Sequence, residues 1–201
     1  MFFRPKNFPD KWNSRIVLLP HDKLSRATLI RITPSWLQPN HITVFRLFLT
    51  PIVLYLLAAG NFAWGLPLFV FTALTDAFDG SLARVRRQIS EWGILFDPVV
   101  DKIFIGSVLF IIVFKYVNFN LCIALLGAEA LLILFGWLRV RRGLIEPANF
   151  WGKIKMVFEV VGLSLILIAL WFQVDILTDI SMSTLGLALI FAIISVYTRI
   201  K

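Results

Sequence analysis

The residues of this chain whose types and spacing could do chemistry are four aspartates. They belong to the run Asp76-Ala-Phe-Asp79-Gly80-Ser-Leu-Ala83-Arg84, which is followed after eight residues by Gly93-Ile-Leu-Phe-Asp97-Pro-Val-Val-Asp101. Asp76 and Asp79 have i, i+3 spacing, and Asp97 and Asp101 have i, i+4 spacing, so each pair would share one face of a helix. Because a loop of about 15 residues is expected as the only connection between the two helices, the two carboxylate faces can meet.

Four converging carboxylates repel one another strongly unless a cation lies between them. Oxygen ligands favour a hard divalent ion, with Mg²⁺ as the first choice and Mn²⁺ or Ca²⁺ as alternatives. Two ions are feasible, and a pair of ions can clamp a phosphoryl group for in-line displacement. Gly80 and Ala83 are small enough for a bulky ligand to approach the backbone, and Arg84 is a cation suited to a phosphate. Capping or solvation by unrelated acids would not explain these features together.

The composition of the chain is that of a membrane protein. Of its 201 residues, 59% are hydrophobic and 16% are charged, whereas the formal net charge is +8. Soluble domains are about 45–50% apolar and about 25% charged. Disorder, a fibrous repeat and a disulfide scaffold are excluded, the last because Cys122 is the only cysteine. The basic residues lie among apolar runs, which favours membrane topology over nucleic-acid binding.

Six apolar runs are each a candidate for a membrane-spanning helix. They cover about residues 41–59, 62–79, 97–116, 120–139, 153–173 and 182–198. The connections at residues 60–61 and 117–120 are very short, which predicts antiparallel helical hairpins. Residues 21–32 fit either an amphipathic helix at the membrane surface or an ordinary juxtamembrane linker. We therefore expect an all-α polytopic membrane protein, with an N-terminal segment over residues 1–40 and a six-helix membrane domain over residues 41–201.

The basic residues predict the orientation of this domain. With six spans, nineteen of the twenty Lys and Arg residues fall on one side of the membrane, and Lys115 is the exception. The positive-inside rule makes that side cytoplasmic. We therefore expect both termini and the four aspartates to face the cytoplasm.

The aspartate run matches in full the signature D-x2-D-G-x2-A-R-x8-G-x3-D-x3-D, and the chain thereby resembles the CDP-alcohol phosphatidyltransferase family. The resemblance covers most of the chain, from Pro39 onwards. It implies that Asp76, Asp79 and Asp97 bind metal, and that Asp101 is the general base as well as a metal ligand. It also implies contacts with the CDP-linked lipid, which involve Asp76, Gly80, Ala83, Arg84 and Ser90.

Two further segments add to this likeness. The segment Pro39-Asn40-His-Ile-Thr43-Val-Phe-Arg46 resembles the start of the first span in bacterial phosphatidylglycerophosphate and cardiolipin synthases, which implies that Asn40 and Thr43 bind the CDP-lipid. An N-cap would explain Asn40 but not Arg46 inside an apolar span. The segment Gly152-Lys153-Ile-Lys155-Met156-Val-Phe-Glu159 is similar to the G-K-x-K-T-x-x-Q of phosphatidylglycerophosphate synthases, with Met156 and Glu159 as departures.

The second segment belongs to a group of cations that we expect to hold the phosphate of a small anionic acceptor. The alternative is that these residues only determine topology. The group comprises Arg139, Arg141, Arg142, Lys153 and Lys155. Two acids, Glu129 and Glu159, also lie within predicted spans. Glu159 could pair with a neighbouring cation, and Glu129 could contribute to helix contact or assembly.

The resemblance implies an enzyme of phospholipid biosynthesis that transfers a phosphatidyl group from CDP-diacylglycerol to a small phosphorylated polyol and releases CMP. Glycerol 3-phosphate is the first choice of acceptor, and phosphatidylglycerol and inositol phosphate are the alternatives. The implied setting is a homodimer in a bacterial cytoplasmic membrane, dependent on one or two Mg²⁺ ions that Mn²⁺ could replace, without a nucleic-acid partner. A divalent-metal transporter is a remote alternative, but it would require carboxylates near the membrane midplane.

Overall fold

The computed structural model of the protein describes residues 39–86, 91–141 and 150–200. Six helices follow one another in these ranges: α1 (Pro39–Ala58), α2 (Phe62–Arg86), α3 (Glu91–Tyr116), α4 (Phe119–Arg141), α5 (Phe150–Phe172) and α6 (Asp175–Ile200). No strand occurs among the described residues, so the all-α prediction is confirmed for them. The amphipathic helix expected at residues 21–32 lies outside the described residues, and the proposed boundary at residue 40 stays a prediction.

The two short connections expected from the sequence are present, and a side-chain cap follows each of them. Gly60 adopts the left-handed region with φ 74°, which glycine tolerates without steric strain. Asn61 Oδ1 then accepts a hydrogen bond from the backbone N–H of Trp64 at 3.4 Å. Asn118 Oδ1 accepts two such bonds at the start of α4, which are donated by Asn120 N at 2.8 Å and Leu121 N at 3.1 Å. These caps satisfy backbone donors that a helix start leaves without partners.

Helix α6 begins at Asp175, well before the sixth apolar run that hydropathy predicts from residue 182. Gln173 turns the chain with φ 56°. Asp175 lies in the first turn of α6, where the helix dipole favours a negative side chain. Asp179 follows one turn later and is exposed. Two acids that suit a helix start therefore lowered the local hydropathy and displaced the predicted boundary.

Among the residues that the structure describes, four helical segments are long and apolar enough to cross a bilayer by length and composition. They are His41–Ala58, Phe119–Leu138, Phe150–Phe172 and Asp175–Thr198, and Phe62–Thr75 is a shorter apolar helical segment. Large apolar side chains are exposed on these helices, as for Phe48 at 70% and Ile193 at 59%. Exposed large apolar side chains on helices of this length suit contact with lipid rather than water. The helices therefore support an integral membrane protein, while a count of six spans stays a prediction.

The packing divides the chain into two units. The first contains residues 39–51, 71–86 and 91–101 of the described chain. The second contains residues 52–70, 102–141 and 150–200. The first unit includes both aspartate pairs, and the second includes all of α4, α5 and α6.

Within the second unit, α5 packs extensively along α6, and α4 also contacts α6. A close approach involves Gly162 of α5, since a Cβ atom added there would lie 2.8 Å from Cγ of Leu185 on α6. Ser181 Oγ donates a hydrogen bond to the carbonyl oxygen of Gly162 at 2.8 Å. A small residue and an interhelical hydrogen bond are what membrane helices use to pack closely, because lipid gives no hydrophobic driving force between them.

Candidate active site

The structure places the aspartate run on two helices of the first unit. Helix α2 continues without a break through Asp76 and Asp79, and α3 continues through Asp97 and Asp101. The i, i+3 and i, i+4 spacings therefore put each pair on one face of a real helix, as the sequence predicted. Both pairs belong to the same packed unit. This arrangement fits an oxygen-rich site for a hard divalent cation.

Side-chain positions are described for only part of this run. Asp101 is half-buried and takes part in polar interactions. Its neighbour Val100 is 7% exposed, and Leu82 on α2 is 1% exposed, so both helices are anchored by apolar residues next to the candidate ligands. The side chains of the remaining candidates in the run lie outside the described part of the chain, namely Asp76, Asp79, Gly80, Ala83, Arg84 and Asp97, as does all of Ser90.

No group of three or more His, Cys, Asp or Glu side chains gathers among the residues whose side chains are described. Three of the four predicted metal ligands are not in that set. The assignment of Asp76, Asp79, Asp97 and Asp101 as ligands therefore stays a prediction, supported by helix register and by oxygen-only donors.

The start of α1 carries a buried polar stripe. Thr43, Arg46 and Thr50 follow i, i+3, i+7 spacing and are 2%, 0% and 5% exposed. Thr50 Oγ1 donates a hydrogen bond to the carbonyl oxygen of Arg46 at 2.9 Å, while Thr43 and Arg46 take part in further polar interactions. A buried arginine in an apolar helix is costly and marks a functional position by default. Asn40 is helical, and its side chain lies outside the described residues.

The predicted acceptor cations do not share one environment. Lys153 is exposed, whereas Lys155 on the same helix is 5% exposed. Two residues apart on a helix, these side chains point in different directions. Arg139 and Arg141 are in the last turn of α4 with side chains outside the described set, and Arg142 falls outside it altogether. A joint patch of all five cations stays a prediction.

Lys155 belongs instead to a buried ionic cluster in the second unit. Its Nζ forms an ion pair with Glu129 Oε1 of α4 and lies 3.0 Å from Glu159 Oε2, one turn further along α5. Lys102 Nζ of α3 lies 4.0 Å from Glu129 Oε2. We call Lys102, Glu129, Lys155 and Glu159 the ionic cluster. The expectation that Glu159 pairs with a neighbouring cation is confirmed, and the expectation that Glu129 serves helix contact is confirmed by its pairing across to α5.

Sequence reasoning did not identify Lys102 or Glu129 as members of a polar site. Their position inside predicted apolar spans could have identified them, because charged side chains there need partners of opposite charge. Hydropathy does not identify these partners, because the members come from three successive helices and their pairing depends on which helix faces meet.

Comparison with known proteins agrees with the aspartate signature. The model of the CDP-alcohol phosphatidyltransferase family matches residues 36–197, most of the chain. A CDP-diacylglycerol–glycerol-3-phosphate 3-phosphatidyltransferase of Aquifex aeolicus is 34% identical over 131 residues, covering 64% of this chain and 72% of the relative. A "probable phosphatidylglycerophosphate synthase" of Mycobacterium tuberculosis H37Rv is 31% identical over 140 residues, covering 65% of this chain and 66% of the relative.

A third relative is named for a different synthase. A "probable cardiolipin synthase (CMP-forming)" of Drosophila melanogaster is 39% identical over 70 residues, which cover 34% of this chain and 22% of the relative. The full aspartate run, the apolar helices and the family match over residues 36–197 all lead to one assignment. The chain is a member of the CDP-alcohol phosphatidyltransferase family and an integral membrane enzyme.

Proposed function

We propose that this enzyme transfers the phosphatidyl group of CDP-diacylglycerol to glycerol 3-phosphate, which forms phosphatidylglycerophosphate and releases CMP. The observation that carries the proposal is the complete run from Asp76 to Asp101 inside the segment that matches the family. The acceptor is suggested by relatives whose names specify glycerol 3-phosphate, one of which is 34% identical to this chain.

The chemistry proposed for Asp101 is general-base catalysis. Its carboxylate accepts the proton of the acceptor hydroxyl as that oxygen attacks the β-phosphorus of CDP-diacylglycerol. The bond between the β-phosphorus and the bridging oxygen breaks, and CMP leaves with the electron pair. Arg84 stabilises negative charge on the phosphates through charge-assisted hydrogen bonds. Gly80 and Ala83 leave room for the nucleotide, and Asn40, Thr43 and Ser90 supply polar contacts to the CDP-lipid.

We propose that Asp76, Asp79, Asp97 and Asp101 hold one or two Mg²⁺ ions, which Mn²⁺ can replace. The metal would neutralise the carboxylates and supply positive charge to the phosphoryl group. The support is the donor set, since the run offers four carboxylates in two helical pairs of one packed unit.

Cations near the end of α4 and the start of α5 would bind the acceptor phosphate. Lys153 is exposed and available for an anion. Arg139, Arg141 and Arg142 are further candidates for binding this phosphate. Lys155 is the fifth candidate, and its ammonium group lies within the ionic cluster. Phosphatidylglycerol is the second candidate acceptor, because the relative from Drosophila is named as a cardiolipin synthase.

We expect six spans in a bacterial cytoplasmic membrane, with both termini and the aspartates facing the cytoplasm, and a homodimer as the assembly. The bias of Lys and Arg supports this orientation. Cysteine labelling from each side of the membrane tests the topology, and the mass of the purified protein in detergent tests the dimer.

The acceptor is tested by supplying the purified protein with CDP-diacylglycerol, Mg²⁺ and one acceptor at a time. Glycerol 3-phosphate, phosphatidylglycerol and inositol phosphate form the panel, and mass spectrometry identifies each lipid product. We expect phosphatidylglycerophosphate as the main product. Cardiolipin as the main product would show that phosphatidylglycerol, the second candidate, is the acceptor. Metal flux into liposomes without CDP-lipid, and no lipid product, would favour a transporter instead.

A further inference from the structure

One face of α5 is apolar, exposed and interrupted by a single cation. Phe150, Val157 and Val161 on this face are 66%, 61% and 45% exposed. Lys153 follows Phe150 by three residues and precedes Val157 by four, so it shares their face, and it is exposed as well. The two residues of the ionic cluster that belong to α5 lie on the opposite, buried face. Lys153 therefore projects outward, among side chains that suit contact with lipid.

The position of Lys153 along α5 corresponds to the level of lipid headgroups. Helix α5 has 23 residues, which makes it about 34 Å long, slightly more than the hydrocarbon core of about 30 Å. Lys153 lies three residues after the helix start, about 4.5 Å along the axis. A lysine at this depth keeps its methylene groups on apolar surface and extends its ammonium group to the headgroup region. The ammonium group is therefore within reach of lipid phosphate.

Exposed aromatic side chains accompany Lys153 at this end of the pair formed by α5 and α6. Phe150 lies one turn before it on the same face. The last turns of α6 pack beside this end, since a Cβ atom added to Gly152 would lie 3.4 Å from Ser195 Oγ. Tyr197 follows two residues later and is 65% exposed. Aromatic and basic side chains together are typical of the boundary between a membrane helix and the headgroups.

The opposite end of the same helix pair carries the opposite charge. Asp175 and Asp179 are exposed there, in the first two turns of α6. No Lys or Arg occurs between residues 156 and 198. A basic residue near the surface favours an anionic lipid by about five-fold, whereas acids repel it. The pair therefore offers an anionic lipid a favourable contact at one end only.

We propose that Lys153 binds the phosphate of an anionic phospholipid that lies along the outward face of α5. Phe150 and Tyr197 then lie at the level of the headgroup, and Val157 and Val161 contact an acyl chain. A second copy of the chain packed symmetrically on this face would bring two lysines together, because the outward face of α5 has no acid to pair with them. With Lys153 bound to lipid, the acceptor phosphate is left to the other candidate cations.

The test places a photo-crosslinking amino acid at position 157 of the full chain, in place of the exposed Val157. The protein is reconstituted in vesicles of phosphatidylglycerol and phosphatidylcholine in equal amounts, without CDP-lipid, and mass spectrometry identifies the cross-linked lipid. We expect phosphatidylglycerol to exceed phosphatidylcholine by about five-fold. In the Lys153→Gln variant, the ratio should fall to within about two-fold of unity. The same amino acid at the exposed Ile176, beside Asp175, is the control and should give no preference for phosphatidylglycerol.

Equal cross-linking of the two lipids at position 157 would overturn the inference, and so would a preference that survives Lys153→Gln. Cross-linking to a second copy of the chain would also overturn it, by making this face a contact between subunits. Glycerol 3-phosphate in excess separates a lipid site from a site for free phosphate: the preference should persist, and its loss would assign Lys153 to the acceptor instead. Because no arm depends on catalysis, these results are independent of the proposed function.

Discussion

Lys155 of α5 forms an ion pair with Glu129 of α4, and both side chains are more than nine-tenths buried. Glu159 lies one turn along α5 from Lys155 and shares the same ammonium group. Lys155 therefore pairs with two carboxylates inside largely apolar helices, and Lys102 of α3 lies 4.0 Å from the second oxygen of Glu129. This relationship gives the ionic cluster its stability and the second unit a specific contact between α4 and α5.

The first prediction concerns the removal of this lysine. Lys155→Met leaves Glu129 and Glu159 buried without their shared cation, and breaking a buried pair in this way typically costs about 3–5 kcal/mol. Thermal unfolding in detergent should show a clear loss of stability. Lys153→Met is the matched control, because Lys153 is exposed and its loss should change stability by less than about 0.5 kcal/mol. Equal stability of the two variants would contradict the cluster.

The second prediction concerns the close contact between α5 and α6. Gly162→Ala introduces a Cβ atom 2.8 Å from Cγ and Cδ2 of Leu185, so the Leu185 side chain or the helices that hold it must shift. Overpacking of this kind costs about 1–3 kcal/mol. Gly186→Ala on α6 is the control, since nothing lies within 4 Å of its added Cβ atom, and it should be neutral or stabilising. A Gly162→Ala protein that melts no lower than the Gly186→Ala protein would contradict this packing.

The sequence predicted where the helices lie more completely than it predicted how they pack. Apolar runs predicted all six helices because a helix that crosses lipid must satisfy its own backbone hydrogen bonds over about twenty apolar residues. The start of α6 was predicted too late, because Asp175 and Asp179 lowered the hydropathy at a helix start where acids are favourable. The contact of Gly162 with Leu185 depends on the rotation of two helices about their axes, which a nearly uniform apolar sequence does not specify.

The candidate site was predictable where chemistry depends on spacing within one helix. The i, i+3 and i, i+4 aspartate pairs need only helix periodicity, and α2 and α3 supply it. The partners of Lys155 depend on which faces of α3, α4 and α5 meet. Two cations separated by one residue, Lys153 and Lys155, look equivalent in the sequence, but the helix exposes one and buries the other.

The third prediction concerns the proposed base. Asp101→Asn removes the proton acceptor and should lower CMP release by about 10²–10⁴-fold, the range typical of general-base catalysis. Binding of CDP-diacylglycerol should be largely spared, as measured with labelled CDP-lipid. Asp179→Asn, an exposed aspartate on α6, should release CMP at the wild-type rate. Turnover near the wild-type rate in Asp101→Asn would disprove the assignment.

The fourth prediction concerns the divalent metal. A chelator in excess should abolish lipid product, because four carboxylates without a cation repel one another and the phosphoryl group loses its charge stabilisation. Added Mg²⁺ should restore activity, and Mn²⁺ should substitute for it. Chelator that has been saturated with Mg²⁺ beforehand is the control and should have no effect. Full activity in metal-free buffer would exclude the proposed role of the aspartates.

The central claim is that the acceptor hydroxyl attacks the β-phosphorus of the CDP-lipid. Glycerol 3-phosphate with heavy oxygen in the hydroxyl of its phosphate-free primary carbon tests this most directly, with mass spectrometry of both products. We expect phosphatidylglycerophosphate that carries the heavy oxygen, together with unlabelled CMP in equal amount. Heavy oxygen in CMP, or CMP released without labelled lipid, would contradict it.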